Sequence, residues 1–237
     1  MKTRVKTGHK RRRRGSLTRD QVVDTALKLA DDEGLEALTM QSLAKRLNCG
    51  VMTIYGYVES KEDLLNAISQ SGLRDLLLPE PVPSDAEGIL VHWGRALRLL
   101  LIDHPSLPVI FLTQAVVGPG IFRGVERLLG RLGQAGMAPP VGVHAIYAVV
   151  TYTTGFVAWE LPRTRRQPQS NYAADWRRAF ANLPPEDFQL TAHVLEELSR
   201  VAGEEQFEIG LMALATGLSG ARVEQRSRHR TVQRNAS

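Results

Sequence analysis

Apolar and polar positions recur with a helical period along almost the whole chain, and no stretch alternates with the period of two expected of a half-buried strand. Val22, Val23, Ala26, Leu27 and Ala30 fall on one face of a first helix. Thr18-Arg19-Asp20-Gln21 marks its start, because a Thr side chain can cap the first turn and a Gln three residues on can reciprocate; Gly34 stops it. Asp31, Asp32 and Glu33 crowd its C-terminal end, where the helix dipole disfavours acids, so they are expected simply to be solvated. Thr39 caps a second helix carrying Leu43, Ala44 and Leu47, and Asn48 stands where the chain needs a left-handed residue to turn. A third, short helix begins near Gly50, and Ser60-Lys61-Glu62-Asp63 opens a fourth with Leu64, Leu65, Ile68 and Leu73. Two short helices joined by a tight turn behind a longer one are the layout of a helix-turn-helix, whose last helix enters the major groove.

At 100° per residue, Met52, Tyr55 and Gly56 share a face of the third helix while Ile54 points back toward the preceding helices. Gly56 lets the helix unwind, so Tyr57 is expected to face outward, with both phenols in reach of phosphates. Between Gly50 and Val58 there is no Arg, Lys, Asn or Gln, the side chains that make most bidentate base contacts. Readout there is expected to be apolar, with Met52 and the methyls of Val51 and Thr53 on thymine methyl groups, leaving Gln41 as the polar base reader.

The Pro-rich stretch from Leu78 to Ser84 is a stiff connection that separates this unit, residues 17–78, from a second one over 84–220. The second unit reads as helices near 85–103, 106–117, 121–136, 139–160, 185–202 and 204–219, punctuated by Pro105, Gly118-Pro119-Gly120 and Pro139-Pro140. Residues 161–184 are polar and rich in Pro and Arg, so a mobile connection is expected there, with room for a short helix over 172–183.

Charge changes the picture at the ends. Residues 1–19 carry +9 and residues 221–237 carry +4, so with a total of +5 the middle of the chain is at −8. A disordered basic arm over 1–16, with Arg11, Arg12, Arg13 and Arg14 poised for nucleic acid, and a disordered basic tail over 221–237 are expected. The single cysteine, Cys49, excludes an intramolecular disulfide framework, and no apolar run follows the basic N-terminus as a signal peptide would require. A cytoplasmic protein is expected. The most apolar segment, 145–159, is shorter than a membrane span, so no membrane association is expected. Metal and cofactor signatures are missing: HExxH, cysteine pairs and a phosphate loop are not found, and His193 with Glu196 is a lone pair. No metal, cofactor or enzymatic activity is expected.

The run Leu38 to Leu65, LTMQSLAKRLNCGVMTIYGYVESKEDLL, resembles the tetracycline-repressor (TetR) family of transcriptional regulators. Members show a Leu-Ala pair in helix two, a Gly-Val turn, a Leu-Tyr-x-His-Phe recognition helix and Lys-Glu-x-Leu. Asn48 and Cys49 stand where Gly-Val is usual, Tyr57 replaces His and Val58 replaces Phe, so base preference is not transferable from a relative. The resemblance implies that Thr39, Tyr55 and Lys61 touch the DNA backbone, and that Gln41, Val51, Met52, Thr53, Gly56 and Tyr57 lie at or near base edges.

The second half resembles the C-terminal regulatory domain of the same family, through Trp93 to Leu101, Gly155-Phe156-Val157 and Phe207 to Leu211. The resemblance implies a homodimer whose four-helix interface uses helices 139–160 and 204–219. Phe207, Leu211, Leu214 and Leu218 form an apolar stripe suited to it, and Gly210 permits close approach. A regulator of this kind needs an effector pocket. Aromatic walls with a few polar anchors are the usual composition, which selects His92, Trp93, His104, Phe111, Gln114, His144, Tyr147, Thr151, Thr154 and Trp159. The fold expected is all-α, a three-helix DNA-binding domain followed by a helical ligand-binding and dimerisation domain. The function expected is a repressor released from a palindromic operator in double-stranded DNA by a small molecule. A nucleoid-type architectural binder without a ligand, or a helical enzyme, are the alternatives.

Overall fold

The structure is a computed structural model that describes residues 17–74, 76, 80–164, 172–184 and 186–234, the last stretch from 221 onward as backbone only. The described residues form twelve helices and no strand: α1 (Arg19–Glu33), α2 (Met40–Arg46), α3 (Val51–Ile54), α4 (Lys61–Arg74), α5 (Ala86–Asp103), α6 (Leu107–Thr113), α7 (Pro119–Gln134), α8 (Pro139–Thr164), α9 (Tyr172–Phe180), α10 (Gln189–His193), α11 (Leu195–Arg200) and α12 (Glu204–Arg234).

The local signals at the N-terminal end act as the residues require. Thr18 accepts from the Gln21 amide and Gln21 reciprocates, closing a capping box on α1, while Gly34 at φ 90° ends the helix. Asn48, at φ 52°, makes the left-handed turn between α2 and α3. Ile54 and Val58 are sealed beneath α3 with Val22, Leu43 and Leu64. The three acids at the end of α1 are not merely solvated. Arg46 of α2 bonds Asp32 and Glu33, and Asp31 is taken up by His104 and Ser106 at the corner between α5 and α6.

The two halves do not keep separate cores. One apolar cluster joins Val22, Leu29, Leu43 and Ile68 to Leu97, Leu101, Leu107, Ile110 and Val157 of the regulatory helices. A second, made by α5, α7, α8 and α12, contains Leu90, Trp93, Leu132, Val149, Phe207 and Leu211. The Pro-rich stretch is thus a boundary along the chain and not in the packing. Between the clusters Arg98 and Glu160 form a buried ion pair at 2.7 Å, and the Arg98 guanidinium lies 5.0 Å from the Phe207 ring centroid.

Several element ends depart from the sequence expectation. α6 stops at Thr113 because Gln114 turns extended, which frees 114–118 as a loop. α7 starts early, at Pro119, since proline is pre-set for a first helical position. The helix expected over 185–202 is broken at Val194 into α10 and α11. α12 runs as continuous backbone helix to Arg234, past the boundary expected at 220. α8 has 26 residues and by length and hydropathy alone could cross a membrane, contrary to the shorter segment expected. Here it is the central helix, packed on α5, α6, α7 and α12.

The expected dimer stripe needs the same kind of correction. Phe207 and Leu211 are wholly buried inside this one chain. Gly210 makes room for Tyr152 of α8, not for a second copy, because a Cβ there would overlap the Tyr152 ring and hydroxyl. Tyr152 donates to the Phe207 carbonyl at 3.0 Å, and burial, then the charge of Glu208, pushes its hydroxyl pKa up. Leu214 and Leu218 are half-buried against the same cluster. Among the described side chains, the large apolar groups that α12 leaves exposed are Ile209 and Met212, and those of α8 are Val143 and Tyr147.

Candidate nucleic-acid interface and effector cavity

Helices α2 and α3 present one polar and apolar face. Thr39 caps α2 by accepting from the Ser42 amide at 3.0 Å, and Ser42 reciprocates by accepting from the Thr39 amide at 2.9 Å. The Thr39 hydroxyl is thereby committed to the helix start, so a phosphate contact there would come from the amide end of α2. Gln41 is exposed beside it. On α3 Met52 is 81% exposed, an unusual fate for a large apolar side chain in a helix that has a core beneath it, and Thr53, Tyr55 and Gly56 are exposed with it. Val51 is half-buried against the core. Lys61 is half-buried at the first turn of α4. That turn is fastened by Ser60, which accepts from the Asp63 amide at 3.1 Å. The Glu62 carboxyl is held below its ordinary range by backbone and then Ser60 hydrogen bonds.

Tyr57 departs from the expectation for this face. Its hydroxyl donates to the Leu17 carbonyl at 2.8 Å and its ring packs against the core, so it pins the start of α1 and does not project toward a ligand. The helix ends at Ile54, two residues before the expected unwinding at Gly56, and the turn carries residue 57 inward because Val58 must enter the core one residue later. Arg19 adds to the same junction by donating to the Tyr57 carbonyl at 3.3 Å. The basic arm, Arg11 to Arg14, lies outside the described residues.

Behind this face a cavity of about 380 Å³ opens between α4 and the regulatory helices. Leu73 of α4, Trp93 and Leu97 of α5, Phe111 of α6, the loop 115–117, α7 and the Ile146–Val150 stretch of α8 enclose it. Gln114, Tyr147 and Trp93 are the lining residues whose side chains can hydrogen-bond, with Tyr147 largely exposed at the edge. Such a space suits a largely apolar molecule oriented by one or two polar contacts. Of the ten residues expected at the pocket, Trp93, Phe111, Gln114 and Tyr147 are brought together there.

The other six lie elsewhere, each for a physical reason. His104 is occupied by Asp31, its Nδ1 2.8 Å from the carboxylate. Thr154 is buried in helix packing with its hydroxyl unpartnered among the described residues. Thr151 and His144 are exposed on α8 one turn to either side of Tyr147 and do not line the cavity, and His92 is half-buried outside it. Trp159 stacks under the Arg163 guanidinium at 4.3 Å. The cavity residues that the sequence pattern does not single out are aliphatic, Leu97, Leu128, Ile146 and Val150 in particular, because such residues read as core from any periodicity. Nor does it single out Asn66 and Gln70, which donate to the Val117 carbonyl at 3.2 and 3.4 Å and so hold the cavity loop to α4. Their spacing of four, which puts both amides on one face of α4, was the available signal.

Comparison with known proteins agrees with this geometry. Residues 22–68 match the family described as bacterial regulatory proteins, tetR family, and residues 79–222 match the tetracyclin repressor-like C-terminal domain. An HTH-type transcriptional repressor of Mycobacterium tuberculosis, Rv1353c, is 29% identical over 92% of this chain and 86% of its own length. The class E tetracycline repressor protein of Escherichia coli is 28% identical, over 86% of this chain and 91% of its own. Among solved structures, ActR of Streptomyces coelicolor in complex with actinorhodin superposes with a TM-score of 0.75 at 27% identity, covering 86% of this chain and 96% of that one. With both halves matched in order, the chain belongs to the TetR family of transcriptional regulators.

Proposed function

We propose that the chain is a cytoplasmic, homodimeric repressor that holds a palindromic operator through the α2–α3 face and leaves it when a small, mainly apolar molecule enters the cavity. The observation that carries this reading is the placement of an apolar cavity between α4 and the regulatory helices, within a molecule whose DNA face and regulatory half share one core. Gln41, Met52, Thr53 and Tyr55 supply the exposed contacts, Thr39 and Lys61 the helix starts, Val51 a half-buried methyl contact, and Gly56 a close approach of the backbone. The dimer forms through the outward faces of α8 and α12, where Val143, Tyr147, Ile209 and Met212 leave apolar surface uncovered. ActR in complex with actinorhodin and a tetracycline-repressor relative in complex with minocycline, from Acinetobacter baumannii, support ligand-responsive regulation. Footprinting on the DNA flanking the gene tests the reading. Two protected half-sites that disappear with a cavity ligand support it, whereas smooth, salt-sensitive coating with no discrete site would replace it by architectural binding.

A further inference from the structure

The effector cavity shares part of its wall with a second space. A second cleft, of about 450 Å³, runs along the outer side of α7, and Leu76, Trp93, Gly124 and Leu128 line both spaces. Gly124 is the shared lining residue that has no side chain. A Cβ built on it meets no atom within 4 Å, so neither close packing nor a special backbone angle calls for glycine there. A glycine inside a helix costs about 1 kcal/mol relative to Ala, and at this point it leaves the shared wall without a side chain.

The cleft beyond this wall differs in chemistry from the cavity. Arg127 and Arg131 line it with Gln134. Together with Arg123 they repeat every four residues along α7, an arrangement of like charges that weakens a helix. Two glutamates share the lining. Glu80 approaches Arg131 at 3.9 Å with its side chain 76% exposed, Glu126 sits at the rim, and Arg127 makes no ion pair among the described residues. Two guanidinium groups one turn apart can converge on a single carboxylate, and each can do so with paired N–H donors.

We propose that cavity and cleft form one bipartite site for an elongated aromatic or alicyclic carboxylic acid, with its ring system in the cavity and its carboxylate on Arg127 and Arg131. This inference rests on the cavity being the effector site. It adds that the effector is an anion and that Gly124 sets the passage between its two ends.

Three fluorescent probes that share one ring system test it on the full-length protein: 1-pyrenebutanoate, 1-pyrenebutanol and 1-pyrenebutylammonium. The acid should bind at least about tenfold more tightly than the alcohol, and the ammonium more weakly than either. Raising the salt concentration should shrink the preference for the acid, because the cleft is open to solvent. Arg127→Ala with Arg131→Ala should bring the acid to the affinity of the alcohol while leaving the alcohol unchanged. Gly124→Phe should remove the same advantage by filling the passage. Operator binding without probe, measured for each variant, reports that the fold is intact. Equal affinities for acid and alcohol, or a preference for the acid that survives the double arginine variant, would overturn the anionic end while leaving the cavity reading standing. If even the alcohol neither binds nor weakens operator binding, the cavity reading fails and this inference falls with it.

Discussion

Asp31 offers a quantitative test of how the DNA-binding and regulatory halves are joined. It lies in the last turn of α1, and its carboxylate accepts from the Ser106 amide at 3.0 Å, from the Ser106 hydroxyl at 2.6 Å and from the His104 ring across 2.8 Å. Ser106 is buried and the Asp31 side chain is 14% exposed, so water replaces little of this network. Hydrogen bonds to a charged group contribute about 1.5–3 kcal/mol each, but three on one carboxylate share its desolvation and do not add. Against them stands about 0.3–1 kcal/mol recovered when an acid leaves a helix C-terminus. Asp31→Ala should therefore destabilise the protein by about 2–4 kcal/mol, and Asp31→Asn, which keeps one acceptor oxygen, by about half of that. At about 2–4 °C per kcal/mol for a chain of this size, the midpoint of thermal unfolding should fall by several degrees. A double-mutant cycle of Asp31→Ala with Ser106→Ala should return a coupling of about 1–3 kcal/mol. A coupling of zero, or a midpoint unmoved by Asp31→Ala, would refute the claim that this carboxylate clasps the two halves.

Four further outcomes are expected. Met52→Ala or Gln41→Ala should relax preference at individual base pairs by about 1–3 kcal/mol in quantitative gel-shift titrations, while Tyr55→Ala weakens all sequences about equally. Met212→Arg should yield monomers in sedimentation with the helical signal retained, whereas Leu211→Arg should abolish folding, since Leu211 is core and Met212 is not. Gly210→Ala should destabilise by more than about 1 kcal/mol because its Cβ would collide with Tyr152, and Tyr152→Leu should recover part of that loss in thermal melts. Deleting residues 1–14 should flatten the slope of log K against log[salt] by about 0.9 for each phosphate that the arm neutralises, and an unchanged slope would show that the arm does not touch DNA.

What the sequence made legible is what depends on short range. Thr18, Thr39, Gly34 and Asn48 announce helix ends because caps and left-handed turns are decided by a few neighbouring atoms. Ile54 and Met52 separate cleanly into inside and outside because a helical turn fixes their angle. The cavity was legible only in part. Trp93, Phe111, Gln114 and Tyr147 stand out among aliphatic neighbours, but Thr154 and His104 stand out equally and serve packing and the Asp31 clasp. Phe207 and Leu211 failed as interface residues because an apolar stripe has the same period whether a helix of the same chain or of another covers it. Only the position of α8 and Tyr152 decides the case.

Two separate links run from the cavity region to the DNA face, and their difference bears on how a ligand can act. Asn66 and Gln70 hold the Val117 carbonyl, so the loop that forms part of the cavity wall is tied directly to α4, which begins where the turn after α3 ends. Asp31 ties α1 to the start of α6, whose far end carries Phe111 into the cavity. The first link is exposed and consists of two long amide bonds to one acceptor; the second is part-buried, ionic and short. A ligand biases the molecule only by the difference in its affinity for two arrangements, and the arrangement that costs least to change is the one held by the weaker link. Motion of α4 against the 114–118 loop, pivoting about a fixed α1–α6 clasp, is therefore the expected response. Gln70→Ala should weaken operator binding and raise ligand sensitivity together, because both measure how firmly α4 is held. Asp31→Ala should lower stability and reduce the ligand's effect on operator affinity, because it removes the pivot. Should Gln70→Ala leave both quantities unchanged while Asp31→Ala shifts ligand sensitivity upward, the assignment of hinge and pivot is reversed.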